Sequence, residues 1–151
     1  MEGRVRVQKG SRVLELSQQG IREKIILEEQ GVEVTHFRVV RDVGELREEQ
    51  KAVGPLMMKT VTGGYDGKGQ QKITSAAAVE PSFAELSRKA ELPFIAEALV
   101  EFKQELSVVV ARTPSGEVAG FPVVENVHEK NILTLTRVPA RINPSVEAQA
   151  T

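Results

Sequence analysis

The hydrophobic period changes along this chain of 151 residues, and the order of that change limits the folds open to it. From about Ser11, Val13, Leu14 and Leu16 and then Ile21, Ile25 and Ile26 recur every three to five residues, the spacing of a helix face, with Gly20 dividing them into two helices. Phe37 to Val40 reads as a short strand. Asp42-Val43-Gly44-Glu45 reads as a capping box opening a helix to about Val53, stopped by Gly54-Pro55. Leu56 to Lys59 is an apolar run between turn formers, predicted as a buried strand, and Gln71 to Thr74 is the next strand. Ser75 is expected to cap an alanine-rich helix, with Pro81 either breaking it or lying in the first turn of another. After Pro93 the pattern becomes extended: Phe94 to Leu99, Glu105 to Arg112, a turn at Thr113 to Glu117, Phe121 to Glu125, and Ile132 to Arg137. Helices first, then strands with inserted helices, then four strands in succession predict an α+β fold rather than a doubly wound parallel sheet. The polar segment from Asn143 to Thr151 is expected to fray.

Composition removes several classes of function. Apolar residues and glycine together make about 48% of the chain, a globular proportion. Twenty Lys and Arg against 21 Asp and Glu leave a net charge of −1, with no positive field for a nucleic-acid backbone. Cysteine is absent, which excludes disulfides, thiolate zinc sites and a cysteine nucleophile. No run approaches the roughly 20 apolar residues of a membrane helix, and no signal core follows Met1, so a soluble, cytoplasmic protein is expected.

The stretch between the two middle strands carries the chemistry. Thr62 to Gln70 holds four of the 12 glycines, together with Tyr65, Asp66 and Lys68. Glycine lets backbone N–H groups approach an anion closely, and lysine adds a point charge, so phosphate is the natural ligand. The spacing is not that of a Walker A loop: the required first glycine falls on Thr62, and Gly69 stands where Ser or Thr should follow the lysine. Nor is it a dinucleotide fingerprint, since it leads into a strand instead of a helix. Composition alone explains the stretch equally well as a flexible hairpin connection. Lys59, on the preceding strand, supplies a second ammonium and favours the anion.

Lys59-Thr60-Val61-Thr62-Gly63-Gly64-Tyr65-Asp66-Gly67-Lys68-Gly69-Gln70 resembles the glycine-rich lid of the 5-(carboxyamino)imidazole ribonucleotide synthases, ATP-grasp ligases of bacterial purine synthesis. Arg22-Glu23-Lys24, Glu105 to Arg112, and Phe121-Pro122-Val123-Val124-Glu125-Asn126-Val127-His128 resemble three further family segments in the same order. Ile132-Leu133 and Pro139 to Ile142 complete the likeness, which extends from about residue 5 to 142.

The resemblance implies an ATP-grasp fold, with a small α/β lid subdomain over about 33–95 inside an ATP-grasp domain of 20–142. Residues 1–19 would be a remnant of a preceding domain or linker, and 143–151 a truncated or frayed tail. Lys59 is then expected to meet the α/β-phosphates of ATP, and Gly64, Tyr65, Asp66, Gly67, Lys68, Gly69 and Gln70 to fold over the β/γ end. Glu97, Ala98, Leu99 and Val100 would read the adenine edge, Glu105 would accept from the ribose hydroxyls, and His128 would lie near the phosphates. His36 is read as structural. The implied reaction is ATP- and bicarbonate-dependent carboxylation of the amine of 5-aminoimidazole ribonucleotide, with magnesium whose ligands are expected outside this chain.

Two departures qualify the likeness. Family members are more than twice as long, and Gly20 stands where the family has an arginine that contacts ATP. The isolated chain is therefore expected to bind ATP weakly and to turn nothing over. Apolar surface that flanking domains would cover is expected to favour self-association, as a homodimer for example. The competing readings are a degenerate, non-catalytic nucleotide-binding module, or another ATP-grasp ligase such as a biotin carboxylase relative. Tyr65 to Gln70 and Glu125 to His128 favour the purine enzyme.

Overall fold

A computed structural model describes residues 18–62, 69–130 and 132–151. The chain divides into two compact units, Met1–Val100 and Glu101–Thr151. The first of the two predicted amino-terminal helices lies outside the described residues.

The first unit is a four-stranded antiparallel sheet in the order β1-β4-β2-β3, formed by β1 (Phe37–Val40), β2 (Leu56–Thr60), β3 (Gln70–Ile73) and β4 (Phe94–Ala98). Three helices accompany it: α1 (Gly20–Glu29), α2 (Val43–Val53) and α3 (Val79–Ser87). Side chains alternate across a strand, so each strand contributes to two faces. One face presents Val40, Leu56, Met58, Ile73, Phe94 and Ala96, which bury themselves with Leu46 of α2 and Val79 and Leu86 of α3. Phe83 meets Phe94 edge to face at 5.6 Å.

Local signals placed α2 well. The Asp42 side chain accepts from the Glu45 N–H at 2.9 Å, and the Glu45 carboxylate accepts from the Arg41 N–H at 2.7 Å. The helix ends at Gly54, whose φ of +86° is a conformation that side chains with a Cβ rarely adopt. Two expectations need correction, and the two alternatives for Pro81 resolve to one. Gln70, read as part of the glycine-rich loop, begins β3, which stops at Ile73. Ala76–Ala78 forms one 3-10 turn, held by the Ala78 N–H on the Ser75 carbonyl at 3.0 Å, with no bond from the Ser75 hydroxyl. Pro81 lies in the first turn of α3, where a missing N–H costs nothing.

The second unit contains β5 (Glu105–Ser107), β6 (Val110–Arg112), β7 (Val118–Gly120), β8 (Val124–Glu129), β9 (Ile132–Arg137) and α4 (Pro144–Ala150). The strand expected over Glu105 to Arg112 is two strands in different sheets: β5 pairs with β8, whereas β6 pairs with β7 across the Thr113 to Glu117 turn. The strand expected over Phe121 to Glu125 begins only at Val124, after Pro122, which has no N–H for a ladder. The segment expected to fray carries α4, with proline in its first turn. Val110, Val118 and Phe121 are exposed. No helix among the described residues is long and apolar enough to cross a membrane.

Glu125 and Arg137 face each other across β8 and β9, with the guanidinium 2.8 Å from the carboxylate. That guanidinium holds the Glu125 carboxyl below the usual range. A carboxyl depressed in the folded state stabilises above its ordinary value of about 4.3, and this contribution fades as pH falls through the folded value. Arg137→Gln is therefore expected to flatten the fall in thermal stability below about pH 4.3; melting curves with the same acid-side slope in both proteins would contradict the pairing. In the first unit, Phe94→Ala should cost about 3–5 kcal/mol in denaturant unfolding, whereas exposed Val110→Ala should stay within about 0.5 kcal/mol.

Candidate functional site

The other face of the first sheet is not apolar. Phe37, Met57 and Glu97 are register partners across β1, β2 and β4, and Lys59 pairs with Ile95 on one side and Gln70 on the other. Lys59 is thus diagonal to Glu97 on one face, within reach of a long side chain. Its ammonium donates to Glu97 Oε2 at 2.8 Å. Glu97 is the unusual member, because its side chain is only 9% exposed and a buried carboxylate must be compensated.

The second compensation comes from α1. Gly20 begins that helix with its N–H on the Val61 carbonyl at 3.1 Å, and a Cβ there would approach Ile95 Cδ1 to 3.3 Å. Four residues on, one helical turn or about 6 Å, Lys24 reaches Glu97, two residues beyond Ile95 on β4. Lys24 Nζ lies 3.2 Å from Glu97 Oε1 and 5.5 Å from the centre of the Phe37 ring. The Lys24 and Lys59 side chains are 18% and 39% exposed.

This cluster lies beside the glycine-rich loop. The loop's ends are tied by the Thr60 N–H on the Gly69 carbonyl at 3.0 Å, with Gln70 opposite Lys59. Gly64, Tyr65, Asp66, Gly67 and Lys68 lie outside the described residues. At the end of β4, the Ala98 and Leu99 N–H groups are already committed, to the His36 and Pro55 carbonyls at 2.9 Å, and the Ala98 carbonyl accepts from Thr35 Oγ1 at 3.2 Å. His36 bonds Glu49 at 2.6 Å, which agrees with its reading as structural.

The second unit repeats the diagonal arrangement. Glu105 pairs in register with Asn126, and two residues on His128 Nδ1 lies 3.2 Å from Glu105 Oε2. Asn126 is itself held, donating to Ser107 and accepting from Thr136. The structure therefore brings Lys59 to Glu97 in one unit and Glu105 to His128 in the other. Sequence reasoning placed Glu97 by its backbone and missed what its side chain does. It also missed Lys24, whose signal was its helical spacing from Gly20. Among the described residues no group of three or more His, Asp or Glu is placed to hold a metal ion.

The chain is 39% identical over 142 residues to N5-carboxyaminoimidazole ribonucleotide synthase of Bacillus subtilis, covering 93% of this chain and 37% of that protein. Among solved structures, an ADP complex of N5-carboxyaminoimidazole ribonucleotide synthetase matches at a TM-score of 0.88 and 39% identity, over 99% of this chain and 39% of the other. The carboxyaminoimidazole ribonucleotide synthase of Aspergillus clavatus complexed with ATP matches at 0.89 and 28% identity, over the same shares. The chain thus spans somewhat over a third of the length of the relatives it matches. The ATP-grasp domain family matches residues 25–151, which includes Glu97, Glu105, His128 and the lysine of β2, and the chain belongs to that family.

Proposed function

We propose that this chain is the ATP-grasp portion of an N5-carboxyaminoimidazole ribonucleotide synthase and that it binds ATP. The observation that carries this reading is the Lys59–Glu97 pair at the base of the glycine-rich loop, in a chain 39% identical to such a synthase. Lys59 meets the α/β-phosphates, and Gly64 to Gln70 fold over the β/γ end through backbone N–H groups and Lys68. The Leu99 carbonyl and Val100 N–H read the adenine edge. By the resemblance, Glu105 accepts from the ribose hydroxyls and His128 lies near the phosphates.

In the proposed reaction a bicarbonate oxygen attacks the γ-phosphorus and ADP leaves, giving carboxyphosphate. The amine of 5-aminoimidazole ribonucleotide then attacks the carboxyl carbon, phosphate departs, and the nitrogen loses a proton. Chemistry of this kind asks a protein for positioning and cationic donors rather than for a nucleophile. Magnesium would supply charge neutralisation at the phosphates. Glu97, held by two ammoniums, is not available to it, and no ligand set is assigned to this chain.

A second reading is a nucleotide-binding module without turnover. Gly20 favours it, being backed against Ile95 and the Val61 carbonyl where no charge can be supplied. Calorimetric titration with magnesium-ATP tests the first claim: binding is expected to weaken at least about tenfold in Lys59→Ala, the loss of a charge-assisted phosphate contact. No heat at millimolar nucleotide would overturn it. ADP release by this chain dependent on bicarbonate and 5-aminoimidazole ribonucleotide would exclude the module reading.

A further inference from the structure

Lys24, Glu97 and Lys59 are three charged groups sharing one carboxylate, and their sum is +1. Glu97 is the difficulty for any anion that comes to Lys59. A buried carboxylate 2.8 Å from the Lys59 ammonium both holds that ammonium and repels an approaching phosphate, in surroundings where screening by water is weak. With Lys59 alone the pair would be neutral. Lys24 occupies the other carboxylate oxygen at 3.2 Å and makes the cluster cationic again. Its side chain is the less exposed of the two, with the ammonium over the Phe37 ring, so it stays on Glu97 while the more open Lys59 meets the ligand.

We infer that Lys24 is a positioning residue of the nucleotide site: by neutralising Glu97 from α1, it keeps the Lys24–Glu97–Lys59 cluster at a net charge of +1 and so leaves Lys59 free to bind a phosphate. This rests on the nucleotide reading above and adds to it a charge balance that the fold delivers from a separate helix. Its consequence is specific. Removing Lys24 should weaken binding of phosphate-bearing ligands only, and removing the Glu97 charge as well should restore it, because Lys59 is then the sole remaining charge of the three.

The test is calorimetric titration of the wild-type chain, Lys24→Met, Lys24→Arg and the Lys24→Met, Glu97→Gln double variant with magnesium-ADP and with adenosine, after circular dichroism has shown each to be folded. Lys24→Met is expected to raise the magnesium-ADP dissociation constant about tenfold without changing that for adenosine, a loss of one charge-assisted contribution. Lys24→Arg and the double variant are expected within about threefold of wild type, since both keep the charge sum at +1. If the wild type binds neither ligand, the nucleotide reading itself fails and takes this inference with it. If the wild type binds and Lys24→Met matches it, or the double variant stays as weak as Lys24→Met, the inference alone is overturned. Should Lys24→Met not fold, the double variant, which leaves no uncompensated buried charge, carries the test: weak binding by it overturns the inference, and near-wild-type binding supports it.

Discussion

A carboxylate in the middle of a four-stranded sheet is tolerated only when cations are delivered to it, and Glu97 imposes that demand on the first unit. Its strand, β4, is central, with β1 on one side and β2 on the other, so the charge cannot be moved to an edge and solvated. The sheet resolves this by giving its faces different work. One face carries the buried apolar cluster that packs on α2 and α3. The other receives Lys59 from the adjacent strand and Lys24 from α1, which ties the helix to the sheet by charge where the first face uses hydrophobic burial.

The same economy of placement recurs in the second unit, where Glu105 and His128 lie diagonally on neighbouring strands. An antiparallel ladder brings such pairs together without any contribution from loops, so their geometry inherits the rigidity of the sheet. Each unit therefore offers a polar pair fixed by strand register. The glycine-rich connection differs, being anchored by strand pairing at its two ends.

How legible these features were depended on the reach of the interactions that create them. Asp42 and Glu45 satisfy N–H groups within four residues of themselves, so the start of α2 could be read from four letters. Phe37 to Val40 and Ile132 to Arg137 were equally clear, and both form strands with those bounds. Glu105 to Arg112 misled because its residues suit a strand along the whole run, yet Ser107 pairs with Val124 and Val110 with Gly120. Nothing inside those eight residues announces a change of partner. Gln70 misled in the opposite way: a polar residue after four glycines reads as loop until Lys59 is found opposite it.

From the residues alone came the α+β class, the Asp42 cap of α2 and the glycine-rich connection between β2 and β3, because each rests on backbone preference or on chemistry within a short segment. Tertiary structure decided which carboxylate Lys59 would meet, that Lys24 would join it, and that the Ala98 and Leu99 N–H groups at the end of β4 would meet the His36 and Pro55 carbonyls. These depend on register between strands 38 residues apart in sequence and on one helix turn matching two strand residues in length, and distances of that kind exist only once the chain has folded.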